Sequence, residues 1–305
     1  MSKPIITAFI PVYNGALFIF DAINSVLSQE GPSFELLIID DASQDDTPII
    51  LKKLIGKDSR IRVLFNDSNR GVSFTSNRAI DEARGDFLIR LDADDISVPG
   101  RHKAQFNILK DETIHVVGSN IQIFGDGIKN KLVYFPQNDA DIKAKFIFCA
   151  NNIANPASAF NLSFIRKNNI RFNEDLKVAE DLNFWIDCMN YGAKFFNIQN
   201  TYVNYRIHSK QSSRQINEMR IAQFNIRNRL LKTWFPNTKE TERNAIANFF
   251  SGETLSREYI LMGLGALHLL TSQPRDSVNG ESTELLFSIF KKYMDAGVQA
   301  LHSNN

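Results

Sequence analysis

The 305 residues, 43% hydrophobic and 23% charged, are those of an ordinary soluble globular chain, long enough for one large core or two modest ones. A net charge of +1 provides no basic excess, which argues against nucleic acid as the main partner. Cys149 and Cys188 are the only cysteines, which excludes a disulfide framework and a paired zinc motif.

The N-terminal MSKPIITAFI lacks the long apolar region and cleavage site of a signal peptide, and within it ITAFI (6–10) reads as a buried strand. Ala16, Phe20, Ile23 and Leu27 then recur at helical spacing. FELLII (34–39) is a second strand, after which Asp46-Thr47-Pro48 reads as a cap and first helical turn ahead of Ile50, Leu51 and Leu54. IRVLF (61–65) is a third strand, followed by a helix that stops by Gly85, and DFLIRL (86–91) is a fourth. Alternation of this kind, with almost continuously apolar strands, predicts an α/β fold with a parallel sheet covered on both faces. Past residue 110, IHVVG and IQIFG read as two strands and DIKAKFIFC (141–149) as a helix. EDLNFWIDCMNYG (180–192) carries Leu182, Trp185, Ile186 and Met189 on one helical face, with Gly192 as its stop. KFFNI and TYVNYRI read as two short strands ending in His208. From about 215 the chain reads as mostly helical, with 271–282 as a polar loop. The longest near-apolar run, 259–270, is too short to span a bilayer, so a cytoplasmic protein is expected, at most resting on the inner face of a membrane.

Open sheets of this kind bind ligands beyond the carboxyl ends of their strands. Two acidic clusters fall at that edge, Asp40-Asp41 after the second strand and Asp92-Ala93-Asp94-Asp95 after the fourth. The first turn, PVYNG (11–15), opens there too and is not the glycine loop of a dinucleotide site. An Asp-x-Asp triplet alone is weak, and Asp139-Ala140-Asp141 serves as an internal control, because it sits in a polar approach to a helix where Asp is a natural cap. The triplet at 92–94 instead ends an apolar strand. An EF-hand is excluded, since Ser97 and Lys103 stand where Gly and Glu are required. Two carboxylates with room for water and a diphosphate suit Mg²⁺ or Mn²⁺. A solvated turn is the plainer reading of the same acids.

PVYNG, LLIIDDASQDDT (36–47), RLDADDISVPGRHKAQ (90–105), AEDLNFW (179–185) and YRIHSKQSS (205–213) occur in that order over about residues 3–213. Together they resemble the inverting nucleotide-sugar glycosyltransferases of family 2, with the GT-A fold, and in particular bacterial enzymes that build lipopolysaccharide, lipooligosaccharide or capsule. The resemblance implies a Rossmann-like, mostly parallel sheet in a catalytic domain at 1–214, with its nucleotide-binding half near 1–100 and its acceptor half near 101–214, and a helical region at 215–305. It implies Pro11 and Tyr13 at the nucleoside, Asp41 at the base, and Asp92 at the ribose or the hydration shell of the metal. Asp94 would hold Mn²⁺ or Mg²⁺ against the diphosphate, with His208 completing the metal or diphosphate site beside Arg206. Asp181 would be the catalytic base and Glu180 would orient the acceptor. The implied donor is a UDP-sugar and the acceptor a glycan or lipid-linked glycan.

Each assignment has a plainer alternative. Asp40 and Asp41 also suit a strand end and turn, Asp181 suits a helix cap, and a lone His208 suits a structural role. Two segments depart from the family pattern. Thr75-Ser76-Asn77 stands where relatives read Ala-Arg-Asn, with Arg78 one place later, which puts a diphosphate-contacting arginine from this segment in question. Asn155 and Asn161 stand where close relatives have His and Arg, which bears on sugar selectivity. Arg214, Arg220, Arg227, Arg229 and Lys232, ahead of Trp234-Phe235, read either as an interfacial helix near a lipid-linked acceptor or as a packed helix with a solvated basic face; packing is the favoured reading. A nucleotidyltransferase would need a glycine-rich triphosphate loop that PVYNG does not provide. A non-catalytic nucleotide-sugar-binding module would not need the acid at 181.

Overall fold

The computed structural model describes residues 3–125, 127–148, 152–208, 216–250 and 257–271, together with 288, 290–292, 294 and 295. They fall into two compact units, Met1–Asn138 with Ile153–Ser212, and Asp139–Asn152 with Ser213–Asn305.

The first unit opens with the expected alternation: β1 (Ile6–Val12), α1 (Ile19–Leu27), β2 (Phe34–Asp40), α2 (Thr47–Leu54), β3 (Ile61–Phe65), α3 (Gly71–Glu82) and β4 (Phe87–Arg90). These four strands pair in parallel in the order β3-β2-β1-β4. Successive residues along β1 and β2 are buried, as a sheet covered on both faces requires. On one face, Ala8, Ile10, Leu36 and Ile38 pack with Ile19 and Ile23 of α1 and Leu51 of α2. Gly85 lets the chain pass close to β1. A Cβ there would lie 2.5 Å from the Thr7 nitrogen, while the Gly85 N–H donates to Thr7 Oγ1 at 2.9 Å.

The sheet continues through β5 (Ile96–Ser97), β6 (Val116–Gly125), β7 (Lys131–Val133), β8 (Ala159–Asn161) and β9 (Phe195–Ile207), with α4 (Arg101–Leu109) after β5. Its full order is β3-β2-β1-β4-β8-β6-β9-β5, with β7 on β6. β8 runs antiparallel to β4 and β6, β5 antiparallel to β9, and β6 parallel to β9. Here the structure corrects the sequence reading twice. IHVVG and IQIFG lie in one strand, and KFFNI and TYVNYRI in another. The turn-like Gly118-Ser119-Asn120 is a register shift inside β6, where buried Asn120 donates to Gln199 O at 2.6 Å and accepts from Phe135 N at 2.9 Å. A side chain that satisfies the backbone of a bulge keeps the strand whole where local propensity would break it.

The second unit holds α5 (Asp139–Lys145), which runs into a 3₁₀ turn (Phe146–Phe148). Between the two segments of that unit in the sequence, α6 (Leu162–Lys167) and α7 (Glu180–Asn190) belong to the first. Then come α8 (Ile216–Trp234), α9 (Glu240–Phe249) and α10 (Arg257–Thr271). The control triplet behaves as a helix start: Asp139 accepts from Lys143, one turn on, at 2.7 Å. Arg227 is buried and donates to the carbonyls of Ile147 and Phe148, closing the end of the 3₁₀ turn, and Trp234 and Phe235 are buried as well. Within the basic stretch, Arg227 therefore contributes to packing, while Arg220 and Lys232 are exposed. Arg214, Cys149 and most of the expected loop at 271–282 lie outside the described residues. Among the described residues, no helix is long and apolar enough to cross a membrane.

Candidate active site

The parallel register lays Val12 opposite Asp40 and Phe9 opposite Arg90, so the turns after β1, β2 and β4 open at one sheet edge. The first two are laced together. Asn14 N donates to Ser43 Oγ at 2.8 Å, Gln44 N to Asn14 Oδ1 at 2.8 Å, and Gly15 N to Thr47 Oγ1 at 3.0 Å. Asp46 makes no cap bond. Asp45 does that work, accepting from Thr47 N at 3.0 Å and from Ala16 N at 3.1 Å. Tyr13 is 47% exposed on this lacing, directly after Pro11 and Val12 at the end of β1.

Asp41 is buried and already well supplied with donors. Its carboxylate accepts from Asn66 Nδ2 at 2.6 Å, from Arg70 N at 3.0 Å and from Gly71 N at 2.8 Å, where α3 begins. A carboxylate at a helix start satisfies orphan amides and favours the positive end of the dipole. Asp40 is raised above its ordinary range by burial, with Ser43 opposing as a donor. Arg78 is held by Phe65 O at 2.8 Å and Asn66 Oδ1 at 2.6 Å. Asn77 spans from α3 to Phe172 N and O, at 2.8 and 2.9 Å.

The acids after β4 have distinct surroundings. Asp92 is met by Arg90, whose Nε and Nη2 reach its Oδ1 at 3.0 and 2.9 Å. Asp94 Oδ2 lies 2.9 Å from His208 Nε2, and the Asp94 carbonyl accepts from Arg206 Nε at 2.8 Å. Asp95 is fully buried, accepting from the Arg206 backbone N–H at 2.8 Å through Oδ1, while its Oδ2 has no partner. This meeting of residues more than a hundred apart follows from the β5–β9 pairing, Ile96 opposite Asn204, which delivers Arg206 and His208 beside the acidic turn. The Arg206 guanidinium sits 4.6 Å from the centroid of Phe18 and 4.5 Å from that of Phe124. His208 also packs against Phe18, with the rings tilted and their centroids 5.1 Å apart.

Glu180 and Asp181 are the first two residues of α7, placed there by Ala179 in the left-handed region at φ 56°. Asp181 accepts from Leu182 N at 2.7 Å, so part of its capacity serves an orphan helix amide, though it is not the cap residue. Below the acids, Phe184 stacks on Phe172 at 4.0 Å between centroids, and Phe184 and Trp185 pack against Phe160 of β8, next to β4. Burial raises both acids. The Asp181 charge adds to the effect on Glu180, which reaches about 7, and the Arg90 charge opposes it for both.

The structure thus brings Asp92, Asp94, Arg206 and His208 together, with Glu180 and Asp181 within electrostatic reach of Asp92 and Arg90. Pro11, Tyr13 and Asp41 stand along the same edge on β1 and β2. Three participants had no role in the sequence reading. Arg90 and Asp95 lay inside the motif, but that Arg90 meets Asp92 and Asp95 the Arg206 amide depends on how the distant strands come together. Tyr205 precedes Arg206, and its phenol is pushed up by burial and by the charges of Asp92, Asp95, Asp94 and Asp181. Of the departures, Asn161 caps α6, accepting from Phe164 N at 3.1 Å, and Asn155 is buried in a 3₁₀ turn with its Oδ1 unpartnered.

Among the described residues, no group of three or more His, Cys, Asp and Glu is gathered as a metal cage. The Asp94–His208 pair, a carboxylate and an imidazole at one open turn, is a donor set suited to a divalent ion that completes its shell with water and phosphate oxygens.

A family model described as "Glycosyl transferase family 2" matches residues 7–172. The chain is 28% identical over 227 residues to the UDP-Glc:alpha-D-GlcNAc-diphosphoundecaprenol beta-1,3-glucosyltransferase WfaP of Escherichia coli, covering 73% of this chain and 85% of that one. It shares its fold with S. aureus TarS 1-349 in complex with UDP-GlcNAc, at TM-score 0.62 and 17% identity, covering 97% of this chain and 92% of that one. In the longer TarS structure it spans about half of the chain, 53%. The mannosyltransferase PcManGT of Pyrobaculum calidifontis, in complex with GDP-Man and Mn2+, matches at TM-score 0.56 and 16% identity, covering 100% of this chain and 89% of that one.

Proposed function

The chain belongs to glycosyl transferase family 2, and from that premise we propose that it is a metal-dependent, inverting hexosyl- or N-acetylhexosaminyltransferase. It moves a sugar from a UDP-sugar to a hydroxyl of a bacterial surface glycan, such as lipopolysaccharide, lipooligosaccharide or capsule, on a free or lipid-linked acceptor. The observation that carries the reading is the convergence of Asp92, Asp94, Arg206 and His208 at the sheet edge where Glu180 and Asp181 also stand. WfaP, whose name specifies a UDP-Glc donor and a diphosphoundecaprenol acceptor, supports the donor and acceptor classes. Donor and acceptor meet on the cytoplasmic side of the membrane.

In this reading Pro11, Tyr13 and Asp41 border the nucleoside and Asp92 meets the ribose. Asp94 and His208 hold Mn²⁺ or Mg²⁺, which when bound supplies Lewis-acid stabilisation of charge on the leaving diphosphate. Arg206, its guanidinium held by two aromatic rings and the Asp94 carbonyl, adds a fixed cation on that side. Asp181 takes the proton of the attacking hydroxyl as general base. Its neighbour Glu180, held protonated toward neutral pH by burial and the Asp181 charge, keeps an O–H that orients the acceptor. The resemblance of AEDLNFW (179–185) to the family motif supports giving the base to Asp181 and the acceptor-orienting role to Glu180.

The test is calorimetric titration of UDP, GDP, CMP and dTDP with and without Mn²⁺, on wild type, Asp94→Ala and Asp181→Asn. Manganese-dependent UDP binding, lost in Asp94→Ala and kept in Asp181→Asn while transfer from a UDP-sugar disappears, is the expected outcome. Binding of a different nucleotide overturns the donor class. Full transfer by Asp181→Asn overturns the base, and binding without transfer in wild type leaves a nucleotide-sugar-binding module.

A further inference from the structure

We propose that Arg90 is the positioning residue of the donor side: its guanidinium fixes Asp92 and supplies the buried cation that α3 does not. The inference rests on the donor-site reading above and deepens it.

Arg90 closes β4 and is only 4% exposed. Its backbone and its head are both tied. Its N–H donates to Ser158 O at 3.0 Å, and its carbonyl accepts from buried Arg101 at 2.6 Å. At the head, Nε and Nη2 grip one oxygen of Asp92, and Nη1 donates to Ser76 Oγ on α3 at 2.8 Å. The Nε and Nη1 groups make hydrogen bonds, to Asp92 and Ser76, and Nη2 lies 2.9 Å from the same Asp92 oxygen as an ion-pair contact.

Stability alone is a poor account of this arrangement. A buried ion pair about breaks even against apolar side chains of similar volume, so a cation is not required for packing here. Asp92 is not sealed in by the pair either, since its side chain keeps 30% exposure and stays open to a ligand. A cation with backbone and head both held is what preorganised recognition of an anionic ligand requires.

The neighbouring helix explains why the charge comes from the strand. α3 carries Ser76 at the point of contact, and its own Arg78 is committed to Phe65 O and Asn66. Ser76 is short and buried, which leaves the space that the Arg90 head fills. Because the two side chains touch, an arginine rooted at 76 would start beside the place the Arg90 head now occupies and point back toward position 90.

That proximity provides the test. Arg90→Ser, Arg90→Lys and the double variant Arg90→Ser/Ser76→Arg are compared with wild type by thermal melting, by UDP–Mn²⁺ calorimetry, and by kcat and KM for the donor. Arg90→Ser is expected to weaken UDP–Mn²⁺ binding by about tenfold or more. The double variant recovers part of that loss. Arg90→Lys falls between, because it keeps the charge but lacks the planar fork that spans Asp92 and Ser76. The inference is overturned if folded Arg90→Ser binds and turns over like wild type, or if the double variant is no better than Arg90→Ser. Should Arg90→Ser not fold, wild-type affinity and turnover in Arg90→Lys overturn it equally. A wild type that binds no nucleotide defeats the donor-site reading itself, before any variant is compared.

Discussion

Glu180 and Asp181 show how two adjacent carboxylates acquire different electrostatics from their surroundings. Both are disfavoured as anions by burial, but Glu180 also faces the Asp181 charge and is lifted from 4.5 to about 7. The stability consequence has a definite sign. Between the unfolded value and about 7 the native state holds a proton at Glu180 that the unfolded chain has released, so the stability linked to this group falls as pH rises through that window. Glu180→Gln removes the ionisation. Its melting temperature is expected to match wild type below about pH 4.5 and to exceed it by a growing margin up to about pH 7, then by a constant one. Melting curves of both proteins from pH 4 to 8 check this, and a margin that shrinks with rising pH would contradict it.

At the scale of elements, the site is set by the ends of strands and by backbone conformations that side chains normally avoid. Asn14, Ala42 and Ala179 have φ of 51°, 60° and 56°, and each adjoins an assigned residue: Tyr13, Asp41 and Glu180. Left-handed backbone in a residue with a Cβ costs about 1–2 kcal/mol, which the lacing of the turns must offset. Glycine adopts this conformation freely but loses more freedom on folding, so Ala42→Gly is expected to gain about 0.5–1 kcal/mol. That raises the melting temperature by about 1–4 °C, whereas Ala42→Val lowers it. Calorimetric melting of the three proteins decides the matter, and a drop for Ala42→Gly would show that the turn depends on the alanine methyl. Strand β9 matters for a different reason. Its length carries Tyr205, Arg206 and His208 past β6 to the acidic turn, and a chain broken after Ile198 would not deliver them.

For the whole molecule, the proposed reading makes the cation a partner of the nucleotide more than of the fold, because the Asp94–His208 donor set is open. Among the described residues no cage of three His, Cys, Asp or Glu side chains exists to bind a metal tightly by itself. EDTA alone is therefore expected to leave the melting temperature unchanged. UDP with Mn²⁺ at about a hundredfold above Kd stabilises by about 2.7 kcal/mol, or about 5–10 °C, and EDTA added to that complex reverses the gain. A large loss on adding EDTA to the ligand-free protein would reveal a structural metal instead.

Much of this was legible in the chain. The β–α alternation of the first ninety residues follows from apolar runs, caps and glycines acting within a few residues of each other, and the acidic turns fall at strand ends by the same local logic. The meeting of Asp94 with His208, of Asp95 with the Arg206 amide, and of Arg90 with Ser76 does not follow locally. These contacts span fourteen to more than a hundred residues, and they depend on β5 pairing with β9 and α3 packing beside β4. The merged strands β6 and β9 were hidden for a related reason, since Asn120 resembles a turn residue until a distant carbonyl gives its side chain a partner. Sequence determined the residue types available and the edge at which they would appear, because propensity and burial act over short stretches. Tertiary structure decided which acid faces which cation, because that choice is made by hydrogen bonds and desolvation between segments that meet only in the fold.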